Sequence, residues 1–103
     1  MNNLVVLVGR IVNEFEVEEL ENGGKRSKLC IAVQRPYKNE DGIYETDFID
    51  VIIWNAIAEN TAEYCKKGDL IGIKGRLQTE IVDDKKKLLT IADRVSFLAS
   101  YRG

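Results

Sequence analysis

The chain has 103 residues, 45% hydrophobic and 31% charged, with one proline and a formal net charge of −2, a balance that suits one globular domain with a modest core and excludes a disordered or fibrous chain. No apolar run approaches the roughly 20 residues of a membrane span, and "MNNLVVLVGR" has neither the basic start nor the cleavage site of a secretion signal, so a cytoplasmic protein with no membrane attachment is expected. Histidine is absent, which excludes a histidine base and mixed Cys/His zinc sites, and Cys30 and Cys65 are expected to be free thiols in that compartment.

Turn signals recur at the spacing of a small all-β domain. The first strand is the dense β-branched run "NLVVLVGRI", residues 3 to 11, and "NEFEVEEL" continues it with Phe15 and Val17 alternating against glutamates. Asn22-Gly23 in "ENGGK" is a hairpin signal, because such a turn requires positive φ at its centre. The second strand is "SKLCIAVQR". A loop from Pro36 to Glu45, with Asp41-Gly42 near its tip, leads into the third, "DFIDVIIW".

In the third strand the side-chain period of two puts Ile49, Val51 and Ile53 on one face and Phe48, Asp50, Ile52 and Trp54 on the other. An unpaired buried carboxylate is expensive, so Asp50 marks its own face as the open one. Phe48 and Trp54 then stand outside the core, as a ligand platform or a subunit interface.

From Trp54 the period lengthens to that of a helix of about three turns. Ile57, Thr61, Tyr64 and Cys65 share a face, with Ala58 and Ala62 beside them; Asn55 is the expected N-cap and Gly68 the left-handed stop, with Lys66 and Lys67 complementing the C-terminal dipole. Tyr64 and Phe97 are expected in the core. In "DLIGIKGRLQTEIV" Ile71, Ile73, Leu77, Thr79 and Ile81 alternate against Lys74, Arg76, Gln78 and Glu80. "DDKK" turns the chain, and "KLLTIADRVSFL" returns as the fifth strand. Three strands, a helix and two strands are the order of a five-stranded OB-fold barrel with its helix between strands three and four, so residues 1 to 103 are expected to form one such domain. An SH3-like or meander barrel is the competing architecture.

The charge is segregated. Residues 25 to 38 carry five bases and no acid, and residues 39 to 63 seven acids and no base; residues 64 to 76 are net +3 and residues 85 to 103 net +4. If the basic blocks meet on one face, a phosphate backbone can lie there despite the net acidity. Arg10 ends strand one, Lys28 and Arg35 flank strand two, and Lys74 and Arg76 share a face of strand four. An OB cleft crosses strands two and three, which would gather Arg35, Tyr37, Phe48 and Trp54, the residue types that stack bases and neutralise phosphates. A magnesium nuclease built on Asp47 and Asp50 is disfavoured, because their opposite parity points them to opposite faces.

Six fragments, "NNLVVLVGRI", "LCIAVQRP", "TDFIDVIIW", "AENTAEYCKKG", "GRLQT" and "DRVSFL", in this order over residues 2 to 98, resemble the bacterial single-stranded DNA-binding proteins. The resemblance implies an OB-fold without catalytic activity or cofactor that binds single-stranded DNA during replication, recombination and repair. It assigns base stacking to Tyr37, Phe48 and Trp54 and phosphate contact to Arg10, Arg35 and Arg76, to which Lys74 is added from the strand-four face it shares with Arg76. It also implies a homotetramer, with a homodimer as the alternative, in which the strand bearing Leu4, Val6 and Val8 pairs with its copy. Three departures accompany it. Val82 stands where relatives carry a fourth stacking aromatic, Asp50 would repel phosphate unless paired, and the chain ends at "ASYRG" without an acidic tail to recruit replication or repair proteins. The acidic stretch 39 to 63 and the missing platform motivate an alternative: an OB-type protein-interaction module, of a primosome or mobile-element kind, with little or no DNA binding.

Overall fold

The computed structural model describes residues 1 to 101; Arg102, part of the last basic block, and Gly103, the end of the expected domain, lie outside the described residues. In chain order the elements are β1 (Val5–Ile11), β2 (Glu18–Glu19), β3 (Lys25–Lys38), β4 (Tyr44–Trp54), α1 (Asn55–Tyr64), β5 (Leu70–Val82) and β6 (Lys85–Ala99). The five long strands are the expected five; β2 is a two-residue ribbon against the start of β3.

The sheet runs β1-β5-β6-β4-β3-β2 and closes through a second pairing of β1, with Arg10 opposite Ala32 and Ile11 opposite Ile31. The β4–β6 pair is parallel, at Val51–Thr90 and Ile52–Ile91, and the other ladders are antiparallel. This closed barrel, with α1 between its third and fourth strands, is the OB architecture. Its core is built from the alternating inward residues Ile11, Leu29, Ile31, Val51, Ile53, Ile71 and Ile73, each no more than 2% exposed. At roughly 1.5 to 3 kcal/mol for each fully buried side chain, these seven are the main source of the domain's stability.

The helix differs in detail from its sequence reading. Asn55 is the first residue of α1 and has φ 50°, a left-handed conformation that asparagine tolerates. Its Oδ1 accepts the Lys25 backbone N–H at 2.9 Å, so the side chain ties the helix start to β3 and does not cap α1. Gly68 is left-handed, φ 97°, but lies beyond the helix end, where its N–H donates to the Ile11 carbonyl at 2.8 Å. Ala58, Thr61 and Cys65 form the buried face of this region, and Tyr64 lies off it, 70% exposed. Phe97, also expected in the core, is 48% exposed near the end of β6, where the β5–β6 ladder slips by one residue.

The turns divide differently too. At residues 22 and 23 only Gly23 has positive φ, and Asn22 Oδ1 accepts the Gly24 N–H at 2.8 Å. The paired left-handed turn occurs instead at Asp83 and Asp84, φ 51° and 64°. There it joins β5 to β6 in a long arm. The arm begins at Gly75, where the ladder shifts register and an added Cβ would lie 1.9 Å from the Ile91 carbonyl oxygen. Beyond that bulge Leu77, Ile81, Val82 and Leu88 are exposed. The alternation of β5 therefore continues the core pattern in sequence but leaves the barrel in space.

Candidate nucleic-acid interface

The register of β3 and β4 places Arg26 opposite Trp54, Lys28 opposite Ile52, Cys30 opposite Asp50 and Ala32 opposite Phe48, all on the outward parity, with Leu29, Ile31, Val51 and Ile53 facing the core between them. The expected parity of "DFIDVIIW" is thus the one the barrel adopts, but the outward face is open only at Phe48 and Asp50: Ile52 is buried and Trp54 half-buried in a cleft. Phe48 is 67% exposed. Because Ala32 also pairs with Arg10, a transverse row runs Arg10–Ala32–Phe48 across three strands, and at about 4.8 Å per strand the Arg10 and Phe48 backbones lie roughly 10 Å apart. Arg10 is exposed, its guanidinium donating one hydrogen bond from Nη1 to the Gly68 carbonyl at 3.1 Å.

At the other end of the face the Arg26 guanidinium lies 5.7 Å from the centre of the Trp54 ring, a cation–π contact that stiffens the indole and leaves a cation beside it. Phe48 and Trp54 are six residues apart on one strand, roughly 20 Å. Between them Asp50 pairs with Lys28 at 3.5 Å, both side chains about three-fifths exposed. Burial, and secondarily the Asp50 carboxylate, push the Cys30 thiol up, so Cys30 is a poor nucleophile on this face. Both cysteines are free.

The inner face of the arm and the segment before β2 overhang this end of the platform and enclose a cleft of about 550 Å³. Trp54, Ile52 and Asp50 form part of its lining, with Phe15, Leu89 and Ile91. Its charges are Glu14, Glu16, Glu18, Asp50 and Glu80 against Arg26, Lys28 and Lys87, a net negative lining. Arg26 is shared with Glu18 at 3.8 Å. Val82, at the arm's tip opposite Lys85, brings no ring to the cleft.

The structure separates the other expected site residues. Arg35 carries the parity of Leu29, Ile31 and Val33, the face opposite the platform, where its Nη2 lies 2.9 Å from Asp47 and its Nη1 2.5 Å from Glu45. Hydrogen bonds from Arg35 hold the Asp47 carboxyl below the usual carboxylate range, against an opposing effect of burial. Tyr37 is 62% exposed in the irregular stretch between Gln34 and Lys38, at the base of the β3–β4 hairpin. Lys74 lies opposite Val6 on β1 and Arg94 on β6, and Arg76 is bonded to Asp93. Asp47 and Asp50 each face a cation of their own. Leu4, just before β1, and Val6 and Val8 on it form an exposed apolar strip, 51 to 66% accessible. Arg26, Lys28, Phe15 and Lys87 are cleft residues that sequence reasoning did not assign; the parity shared by Arg26, Lys28 and the predicted platform partners was the available signal for the first two.

Residues 2–98 match the model of a family described as the single-strand binding protein family. Among similar proteins, the single-stranded DNA-binding protein of Oceanobacillus iheyensis is 44% identical over 95% of this chain and 64% of its own length. Single-stranded DNA-binding protein B of Bacillus subtilis is 35% identical over 95% of this chain and 91% of its own. The chain spans about half to two thirds of the length of the first such relatives. The crystal structure of a deletion mutant of the single-stranded DNA binding protein from Thermus aquaticus superposes with a TM-score of 0.81 at 22% identity, covering 94% of this chain and 50% of that one, a likeness of fold.

Proposed function

The chain belongs to the single-strand binding protein family, and from that premise we propose that its OB domain binds single-stranded DNA without a catalytic step, stacking bases on Phe48, Trp54 and Tyr37. The observation that carries this reading is two rings on one outward strand face, Phe48 exposed with Arg10 beside it and Trp54 half-buried in the cleft wall with Arg26 over it. An exposed ring offers any base a π face, worth roughly 1 to 3 kcal/mol per base, so binding tolerates sequence.

Arg10, Arg26 and Lys28 are the cations nearest the rings and take the phosphates, Arg26 and Lys28 by leaving the looser, exposed partners Glu18 and Asp50 at 3.8 and 3.5 Å. Arg35 and Arg76, each already matched by carboxylates, contact phosphate only by exchanging those partners, and Lys74 does so only for a strand that continues around to β5. The apolar strip Leu4, Val6 and Val8 supports self-association through β1, into a homotetramer in this reading, so that one strand of DNA engages several platforms. Such a protein serves replication, recombination and repair in the cytoplasm. Among the described residues no helix is long and apolar enough to cross a membrane.

Titration with oligothymidine, followed by Trp54 fluorescence, tests the proposal. Quenching at low salt is expected, with a log–log salt slope of roughly −2 per protomer for the three cations. Absence of quenching at low salt sinks it.

A further inference from the structure

Asp50 is the one carboxylate on the outward rows of β3 and β4 between Phe48 and Trp54. Its carboxylate stands where bases, and not phosphates, would lie in the site read above. The cleft beside it is lined by more acids than bases. A phosphate backbone is repelled from such a lining and runs along its rim, past Arg10 and Arg26, which turns the bases inward. The group the inward base edges then meet is an acceptor.

An ionised carboxylate only accepts hydrogen bonds. The amino groups of cytosine and adenine donate to it, as does that of guanine. In a single strand these edges are open, and thymine presents O4 at the position of the cytosine amine, an acceptor against an acceptor; its one donor, N3–H, is flanked by O4 and O2, both of which oppose an approaching carboxylate. Lys28 does not cancel the effect: its salt bridge engages Oδ2 at 3.5 Å, with 62% of the lysine and 59% of the aspartate side chain exposed. A pair that open is weak and exchanges readily.

Resting on the DNA-binding reading, we propose that Asp50 is a specificity-determining residue that reads base edges and favours bases with an exocyclic amine, cytosine over thymine being the defining pair. The two pyrimidines stack with similar area, so their comparison isolates the edge from the ring.

The test measures the affinities of oligo(dC) and oligo(dT) by fluorescence anisotropy for the unmodified chain, Asp50→Asn and Asp50→Ser. Removing the charge relieves phosphate repulsion equally for both oligonucleotides, so the ratio of the two affinities is the readout. The dC-to-dT ratio is expected to fall about fivefold in both variants, the low end of a base-edge hydrogen bond because the carboxylate is exposed. Lys28→Gln should weaken both oligonucleotides and leave the ratio at or above its original value. An unchanged ratio in the Asp50 variants, with binding intact, overturns the inference alone. Failure of the unmodified chain to bind either oligonucleotide overturns the DNA-binding reading and the inference together.

Discussion

Replacing Phe48 with alanine separates recognition from folding more cleanly than any other change on the platform. The ring is 67% exposed, so only about a third of a phenylalanine surface of roughly 200 Å² is buried by folding. Allowing for what alanine retains, the loss is about 45 Å², or about 1 kcal/mol, which lowers Tm by roughly 4 to 8 °C in a domain of this size. Loss of one stacked base costs 1 to 3 kcal/mol in binding, roughly 5- to 150-fold in affinity. The ring carries no charge, so the salt slope stays unchanged. Anisotropy with labelled oligothymidine at two salt concentrations, alongside thermal melts, measures all three quantities. Tyr64→Ala is the control: an equally exposed ring, 70% accessible, on α1 away from the β3–β4 face, whose loss should leave affinity within twofold. A Phe48→Ala affinity within twofold of the unmodified chain, or a changed salt slope, would refute the stacking role.

Val6→Glu combined with Val8→Glu places charge in the exposed strip of β1 and should shift the protein to a smaller species in light scattering, with the barrel's circular dichroism retained; an unchanged mass argues against assembly through β1. Gly75→Ala drives a Cβ into the Ile91 carbonyl and should cost roughly 3 kcal/mol or prevent folding, since both groups are backbone-fixed; a native Tm would mean the bulge is not required. Asp47 has a folded-state pKa lowered by Arg35. Its contribution is therefore present above the unfolded carboxylate value of about 3.9 and lost as pH falls through the folded value. Asp47→Asn should accordingly melt below the unmodified protein at pH 7, with the gap closing as acid protonates Asp47 in the folded protein, and a gap that does not narrow in acid would show that the ion pair is not the cause.

Periodicity carried most of the fold. β-branched runs at period two, one helical stretch and turn residues at regular spacing are local properties, so the strand order and the parity of "DFIDVIIW" are legible before any contact is known. Asp50 exposed its own face for the same reason: desolvation makes a lone carboxylate a marker of solvent. Errors cluster where the chain leaves the barrel or bends. β5 keeps an apolar alternation past Gly75, and nothing local says that the core ends there. Tyr64 is one helical position from a buried face, and a shift of that size decides its exposure.

The candidate site divides along the same line. Phe48 and the apolar strip at β1 were readable because exposure follows from parity, whereas Ile52 and Trp54 share Phe48's parity and are covered in the cleft. Which cations remain available was not, because a charge's partner depends on strand register. Asp47 faces Val33 across the β3–β4 ladder and Glu45 lies by the irregular stretch that follows, which captures Arg35 on the far side; Asp93 captures Arg76; and Arg10 reaches Phe48's row only because β1 closes on β3. The barrel, its helix and the outward parity of Phe48 and Trp54 follow from short-range periodicity and the cost of burying charge, and both can be read along the chain. Which side chains meet in the cleft, and that its lining is acidic, emerge only on folding, because those pairings join residues distant in the chain.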